Sequence, residues 1–224
     1  MNYYINLTDI TINELKEKLL NTDILPSHTI LKENIENNFD IIKKNNIKNL
    51  EELKNTLKTK KSIEIFSTTT QISIDYLVIL RREINSYHPQ ERKIKDFQIL
   101  NDTTKNKLIN IGLKTTYQVY PHINTPNNRI QFQKKIGVSD EEILKLTMIV
   151  DLTRLRYVNH TFAELLIYSQ YNTTEKIKAA DYNELYKELK TINEKNKVYN
   201  GKIGLKDIKF LIDDWVYSHN AIEY

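Results

Sequence analysis

The chain has 224 residues, a mass of 26.6 kDa and a net charge of +4, with a pI near 8.9. It has no cysteine, which excludes disulfides, thiolate zinc sites, iron–sulfur clusters and cysteine nucleophiles. Four glycines and four prolines are too few for a turn-rich all-β fold or a glycine-rich phosphate cradle.

Helical periodicity runs through most of the sequence. Ile12, Leu15, Leu19 and Leu20 form an apolar stripe opened by Thr11, with Glu14 three residues later completing a capping box. The same reasoning predicts helices over Leu31–Asn45, Leu50–Lys58, Ser62–Thr68, Ile74–Ser86, Thr103–Ile111 and Thr116–Tyr120. It continues with Arg129–Ile136, Asp140–Leu152, Phe162–Ser169, Thr174–Ala179, Tyr182–Lys195 and Lys206–His219. Short helices with short polar connections give an all-α fold. Tyr3-Tyr4-Ile5 and Ala221-Ile222-Glu223-Tyr224 are β-prone instead, and are expected as short extended segments against the helical body, paired with each other.

Parts of the sequence recur. Asn46-Ile47-Lys48-Asn49-Leu50 matches Gly112-Leu113-Lys114-Thr115-Thr116 and, more loosely, Gln170-Tyr171-Asn172-Thr173-Thr174. Gln71-Ile72-Ser73-Ile74 matches Gly137-Val138-Ser139-Asp140, with Gly204-Leu205-Lys206-Asp207 a looser copy. Each match places an Asn, Thr or Ser where it caps the next helix. The simplest description is three copies of a helix–tight turn–helix unit. One such pair cannot bury its stripe alone, so neighbours must share a core. Pro89, in the polar stretch Tyr87-His88-Pro89-Gln90-Glu91-Arg92, marks the boundary. The expected division is an N-terminal unit over 1–88, a linker over 89–96 and a fused pair of units over 97–224.

These repeats, with Asp151-Leu152-Thr153-Arg154-Leu155-Arg156 and Tyr199-Asn200-Gly201-Lys202-Ile203-Gly204, resemble a bacterial domain-of-unknown-function family built from tandem helix-hairpin-helix-like, SAM-like units. The likeness is strongest over about residues 97–215. It implies the all-α fold and, by analogy with helix-hairpin-helix modules, a role with DNA. The turns Leu100–Thr104 and Tyr157–Thr161 carry no glycine, unlike the Gly-x-Gly hairpins that bring backbone N–H groups to a phosphate.

No catalytic motif appears. The histidines His28, His88, His122, His160 and His219 lack metal-site spacing. His160 and Glu164, four apart, read as a surface or capping pair. Asp213-Asp214 beside Trp215 points in divergent directions, so no cofactor or metal is implied. The basic excess sits in residues 101–160, which hold nine Lys and Arg against five Asp and Glu. Arg129, Lys134, Lys135, Arg154 and Arg156 are therefore the candidate nucleic-acid contacts. Arg81 and Arg82 form a weaker set, and Lys202 lies in a Gly-x-x-Gly loop like those that clamp RNA backbones. Lys58-Thr59-Lys60-Lys61 reads as a solvated loop. No run of apolar residues reaches membrane-spanning length and the start does not read as a secretory signal, so a cytoplasmic location is expected. The leading reading is a non-enzymatic interaction protein, a scaffold or adaptor; the alternative is sequence-tolerant DNA or RNA binding.

Overall fold

The computed structural model describes residues 2–213 and 222–224. Its secondary structure is helical, and no sheet forms among the described residues. The chain divides into two compact units, one of Tyr4–His88 and the other of Pro89–Tyr224 joined by the N-terminal residues up to Tyr3.

The first unit holds α1 (Ile12–Asn21), α2 (Ile35–Lys44), α3 (Leu50–Thr56), α4 (Lys60–Thr70) and α5 (Ile74–Ser86), with short 3-10 turns at Leu7–Asp9 and Pro26–Lys32. The Thr11 capping box forms as expected. The helix predicted over Leu31–Asn45 is instead a 3-10 turn and α2, broken where Asn34 adopts a left-handed conformation (φ 50°). Leu15, Leu19, Leu31, Phe39, Ile42, Leu53, Leu77 and Leu80 close the core. A two-bond bridge pins α1 to α3: Ile12 N–H donates to Lys48 O and Leu50 N–H to Ile10 O, both at 3.0 Å. Beneath this core His28 Nδ1 meets Glu83 at 2.9 Å, both side chains buried.

The second unit holds α6 (Asp102–Asn110), α7 (Thr116–Val119), α8 (Pro126–Ile136), α9 (Asp140–Leu152), α10 (His160–Ile167), α11 (Thr174–Lys178), α12 (Tyr182–Asn196) and α13 (Leu205–Asp213). The stretch 89–96 is not a free linker. Ile94 is fully buried, its N–H donates to Lys114 O at 2.9 Å, and Thr116 N–H donates to Arg92 O at 2.9 Å. The apolar side chain of Ile94 draws this segment into the unit's core.

Local geometry recurs at a fixed offset. α4 and α8 each have 11 residues, and α5 and α9 each have 13. Both pairs turn through one left-handed residue, Gln71 and Gly137 (each φ 61°), whose N–H donates at 2.8 Å to Ser67 O and Gln133 O respectively. Ser73 and Ser139 then cap the following helices. Asn46 (φ 62°) and Gly112 (φ 86°) end α2 and α6 in the same way. A side chain in this conformation costs about 1–2 kcal/mol that glycine avoids. The caps Asn49, Thr115 and Thr173 share an extended backbone (φ −138°, −133° and −137°).

The described residues of both chain ends are non-helical, and both reach one buried ion pair. Arg154 and Asp151, three residues apart, meet at 3.2 Å with side chains 5% and 2% exposed. Arg154 Nε also donates to Tyr3 O at 2.9 Å. Asp151 accepts from Thr174 N–H at 3.0 Å, from the Thr174 hydroxyl, and from the Tyr224 hydroxyl at 3.1 Å. Tyr3 lies edge-on to Tyr117 and Tyr120 and shares a hydrogen bond with the Thr116 hydroxyl. Ala221, also assigned to the terminal segment, lies outside the described residues, as do Trp215 and most of the C-terminal half of the Lys206–His219 helix.

Removing one partner of such a pair strands a buried charge, so Asp151→Asn or Arg154→Met alone should lower unfolding free energy by about 3–5 kcal/mol. The double variant should recover much of that loss, as read by urea denaturation. At the helix hairpins, Gln71→Gly should raise stability by about 0.5–1 kcal/mol and Gly137→Gln should lower it by a similar amount; a change of the same sign in both variants in the same denaturation assay would show that the two turns are not under the same strain.

Candidate functional site

The sequence candidates divide sharply by depth. Arg154 and Arg156 are only 8% and 7% exposed. Arg154 serves the ion pair just described. Arg156 donates to the Tyr157 hydroxyl at 3.1 Å and lies over the rings of Tyr157 and Phe210 at 5.2 and 5.6 Å. Both guanidinium groups therefore face protein, which removes them from any open basic face. Their positions near a turn made them look accessible in the sequence, but burial of the Asp151–Leu155 segment decides otherwise.

Arg129 is half-buried: it donates to Ile123 O at 2.9 Å and lies 5.8 Å from the Tyr224 ring. Burial lowers its pKa from the ordinary arginine value. Lys134 and Lys135 are exposed. Lys135 joins Pro121, His122, Asn128, Gln131 and Phe132 around an open groove of about 240 Å3, where His122 stacks on Phe132 at 4.8 Å and 18°. Asn128, Gln131, Phe132 and Lys135 recur at helical spacing along α8, so one face of one helix supplies most of the groove.

Lys202 is exposed in its glycine loop. A Cβ on Gly201 would sit 2.5 Å from the Tyr199 ring, so a larger residue there would push that side chain aside. At Gly204 the backbone N–H donates to Asp207 at 2.9 Å, tying the loop to the start of α13. A Cβ on Gly204 would meet the same Asp207 carboxylate at 2.9 Å, so tight packing within the loop favours glycine at both positions.

The acidic candidates are structural. Glu164 accepts backbone N–H groups from Gln98 and from Ile99 (3.0 Å), while His160 packs edge-on against Phe97. The two are not an acid–base pair. Glu142 accepts from Asn101 N–H at 3.1 Å and is approached by Lys145. No group of three or more potential metal ligands occurs among the described residues. Asp214 and His219 lie outside those residues.

A second groove, of about 280 Å3, was missed by the sequence reading. It belongs to the first unit and is lined by Glu51, Lys54, Asn55, Lys58, Arg81 and Asn85. The i, i+4 spacings of Lys54 with Lys58 and of Arg81 with Asn85 were visible signals. Their convergence depends on α3 packing against α5, which no local pattern encodes. Of the two arginines predicted here, Arg81 enters the groove; Arg82 is exposed and does not line it. Beside the groove, His88 Nε2–H donates to Ile5 O at 3.0 Å and Nδ1 accepts from Lys54 Nζ at 2.9 Å, because a carbonyl only accepts and an ammonium only donates.

Residues 98–214 match the model of a domain of unknown function, DUF4332. The chain belongs to the DUF4332 family. No curated protein and no solved structure matches it. The DUF4332 match spans the His122–Phe132 groove and the Asp151–Arg154 pair, whereas the Lys54–Arg81 groove lies outside it.

Burial, with the nearby Lys54 charge, pushes the His88 pKa down, against the Ile5 hydrogen bond and Glu51. A base with a depressed folded pKa takes up its proton more readily when unfolded, so stability is full above the unfolded pKa and falls below it. Stability should therefore decline as pH drops below about 6.5, and His88→Gln should flatten that slope in melting scans. Burial depresses His122 in the same sense, so part of the slope should survive in the variant.

Proposed function

We propose that the chain is a non-enzymatic binding protein, a scaffold or adaptor assembled from copies of one helix-hairpin-helix-like unit, which presents helical surface to another macromolecule. The observation that carries this reading is the use of the buried carboxylates. Asp151, Glu142, Glu164 and Glu83 each hold a hydrogen bond that fixes the fold, three of them to backbone N–H groups of distant segments. A general acid or base must instead reach a substrate proton. The 66-residue offset between Gln71 and Gly137, with equal helix lengths on either side, supports descent of the two stretches from a single unit.

The open faces carry apolar side chains suited to a protein partner. Ile130 on α8 is 52% exposed and Leu144 on α9 is 45% exposed, in helices whose other faces are buried. Crosslinking in the native cell with reciprocal capture should return one recurrent partner. Ile130→Glu with Leu144→Glu should remove it while leaving the melting temperature unchanged. Recovery of the chain alone, or a partner indifferent to both substitutions, counts against this reading.

One observation favours the second reading, binding of DNA or RNA. The half-buried His122 ring, stacked on the buried Phe132 and lining the same groove as Lys135, sets an aromatic ring beside a cation, the combination that single-stranded nucleic acid exploits. A fluorescent oligonucleotide titrated at two salt concentrations should bind more weakly at the higher salt, and Lys134→Glu with Lys135→Glu should reduce binding at least tenfold. Absence of binding at low salt rejects it.

A further inference from the structure

We propose that the groove between α3 and α5 in the first unit is a phosphate-binding site, with Arg81 and Lys58 as the direct ligands and Lys54 as the supporting charge. Three cations line it against one carboxylate, Glu51, with Asn55 and Asn85 completing the wall. Lys54 directs a proton to His88 Nδ1 at 2.9 Å, and Glu51 accepts from Asn55 at 3.3 Å. Among the described residues neither Arg81 nor Lys58 forms an ion pair or a side-chain hydrogen bond, although Arg81 is half-buried.

The physical argument rests on that unpaired guanidinium. A partly desolvated cation loses hydration that only an acceptor restores. Its planar fork of donors fits two oxygens of a tetrahedral oxyanion, and the Lys58 ammonium adds a point charge. The opening of about 280 Å3 falls just below the usual range of drug-sized pockets. It accommodates a phosphate with a small attached group, not a large apolar ligand. Arg81 and Asn85 are one helical turn apart on α5, and Lys54 and Lys58 are four apart along and just beyond α3, so two rigid elements set the spacing.

The phosphate can belong to a free monoester or to a nucleic-acid backbone, and the experiment separates these sources. Amide NMR of the full chain is followed while inorganic phosphate, and separately a short single-stranded oligonucleotide, is added at constant ionic strength. Shifts at Lys54, Lys58, Arg81 and Asn85 with a millimolar-range phosphate affinity are expected. Arg81→Ala should weaken binding at least tenfold, and Lys58→Ala, at an exposed position that keeps the fold intact, should weaken it several-fold. If the oligonucleotide perturbs the same residues more tightly and with steep salt dependence, the backbone is the source. If phosphate binds and the oligonucleotide does not, the source is a free ester. No shift at these residues with either probe, or unchanged affinity in the Lys58→Ala variant, overturns the site. Failure here leaves the scaffold reading intact, since none of its observations comes from this groove.

Discussion

Sequestering Asp151 from water imposes the strictest demand on the second unit. A carboxylate inside protein is tolerable only when charge and hydrogen bonds replace its hydration. Burial pushes its pKa up, and Arg154 and Thr174 oppose that shift. The replacement shell is drawn from near and far in the chain: Arg154 from the same turn, Thr174 from the start of α11, and Tyr224 from the far end. Arg154 in turn holds the carbonyl of Tyr3. One charge pair therefore fixes the positions of both non-helical ends, because neither polar group has an adequate alternative in the interior.

The two units reach the same local solutions with different residues. Where the second uses Gly112 and Gly137 to end a helix, the first uses Asn46 and Gln71 in the same left-handed conformation. Gln71 partly offsets its strain by donating to Thr68 O at 2.8 Å. Asn49 and Thr115, and Ser73 and Ser139, then cap the next helix at matching points. A chain with only four glycines can keep such tight turns because capping supplies hydrogen bonds that glycine alone would not.

For function, depth matters more than residue type. Five basic residues around 129–156 look equivalent along the chain, yet Arg154 and Arg156 face inward while Lys134 and Lys135 face out. What remains outward in that region is the lysine-bearing face of α8, beside the half-buried His122. In the first unit, cations that seemed to belong to a solvated loop and to a separate helix share one groove. The interior acids, by contrast, are each committed to hydrogen bonds within the fold.

The sequence alone determined the all-α class, the ranges Ile74–Ser86 and Asp140–Leu152 residue for residue, and the capping positions Thr11, Asn49, Thr115 and Ser139. These follow from contacts within one helical turn, which spacing encodes directly. Tertiary structure decided the rest: the drawing of 89–96 into the second unit, the burial of Arg154 and Arg156, the convergence of Tyr3 and Tyr224 on one ion pair, and the meeting of Arg81 with Lys58. Each joins residues far apart in the chain, and whether a charge faces water or a carboxylate is set by how helices pack, which no local pattern carries.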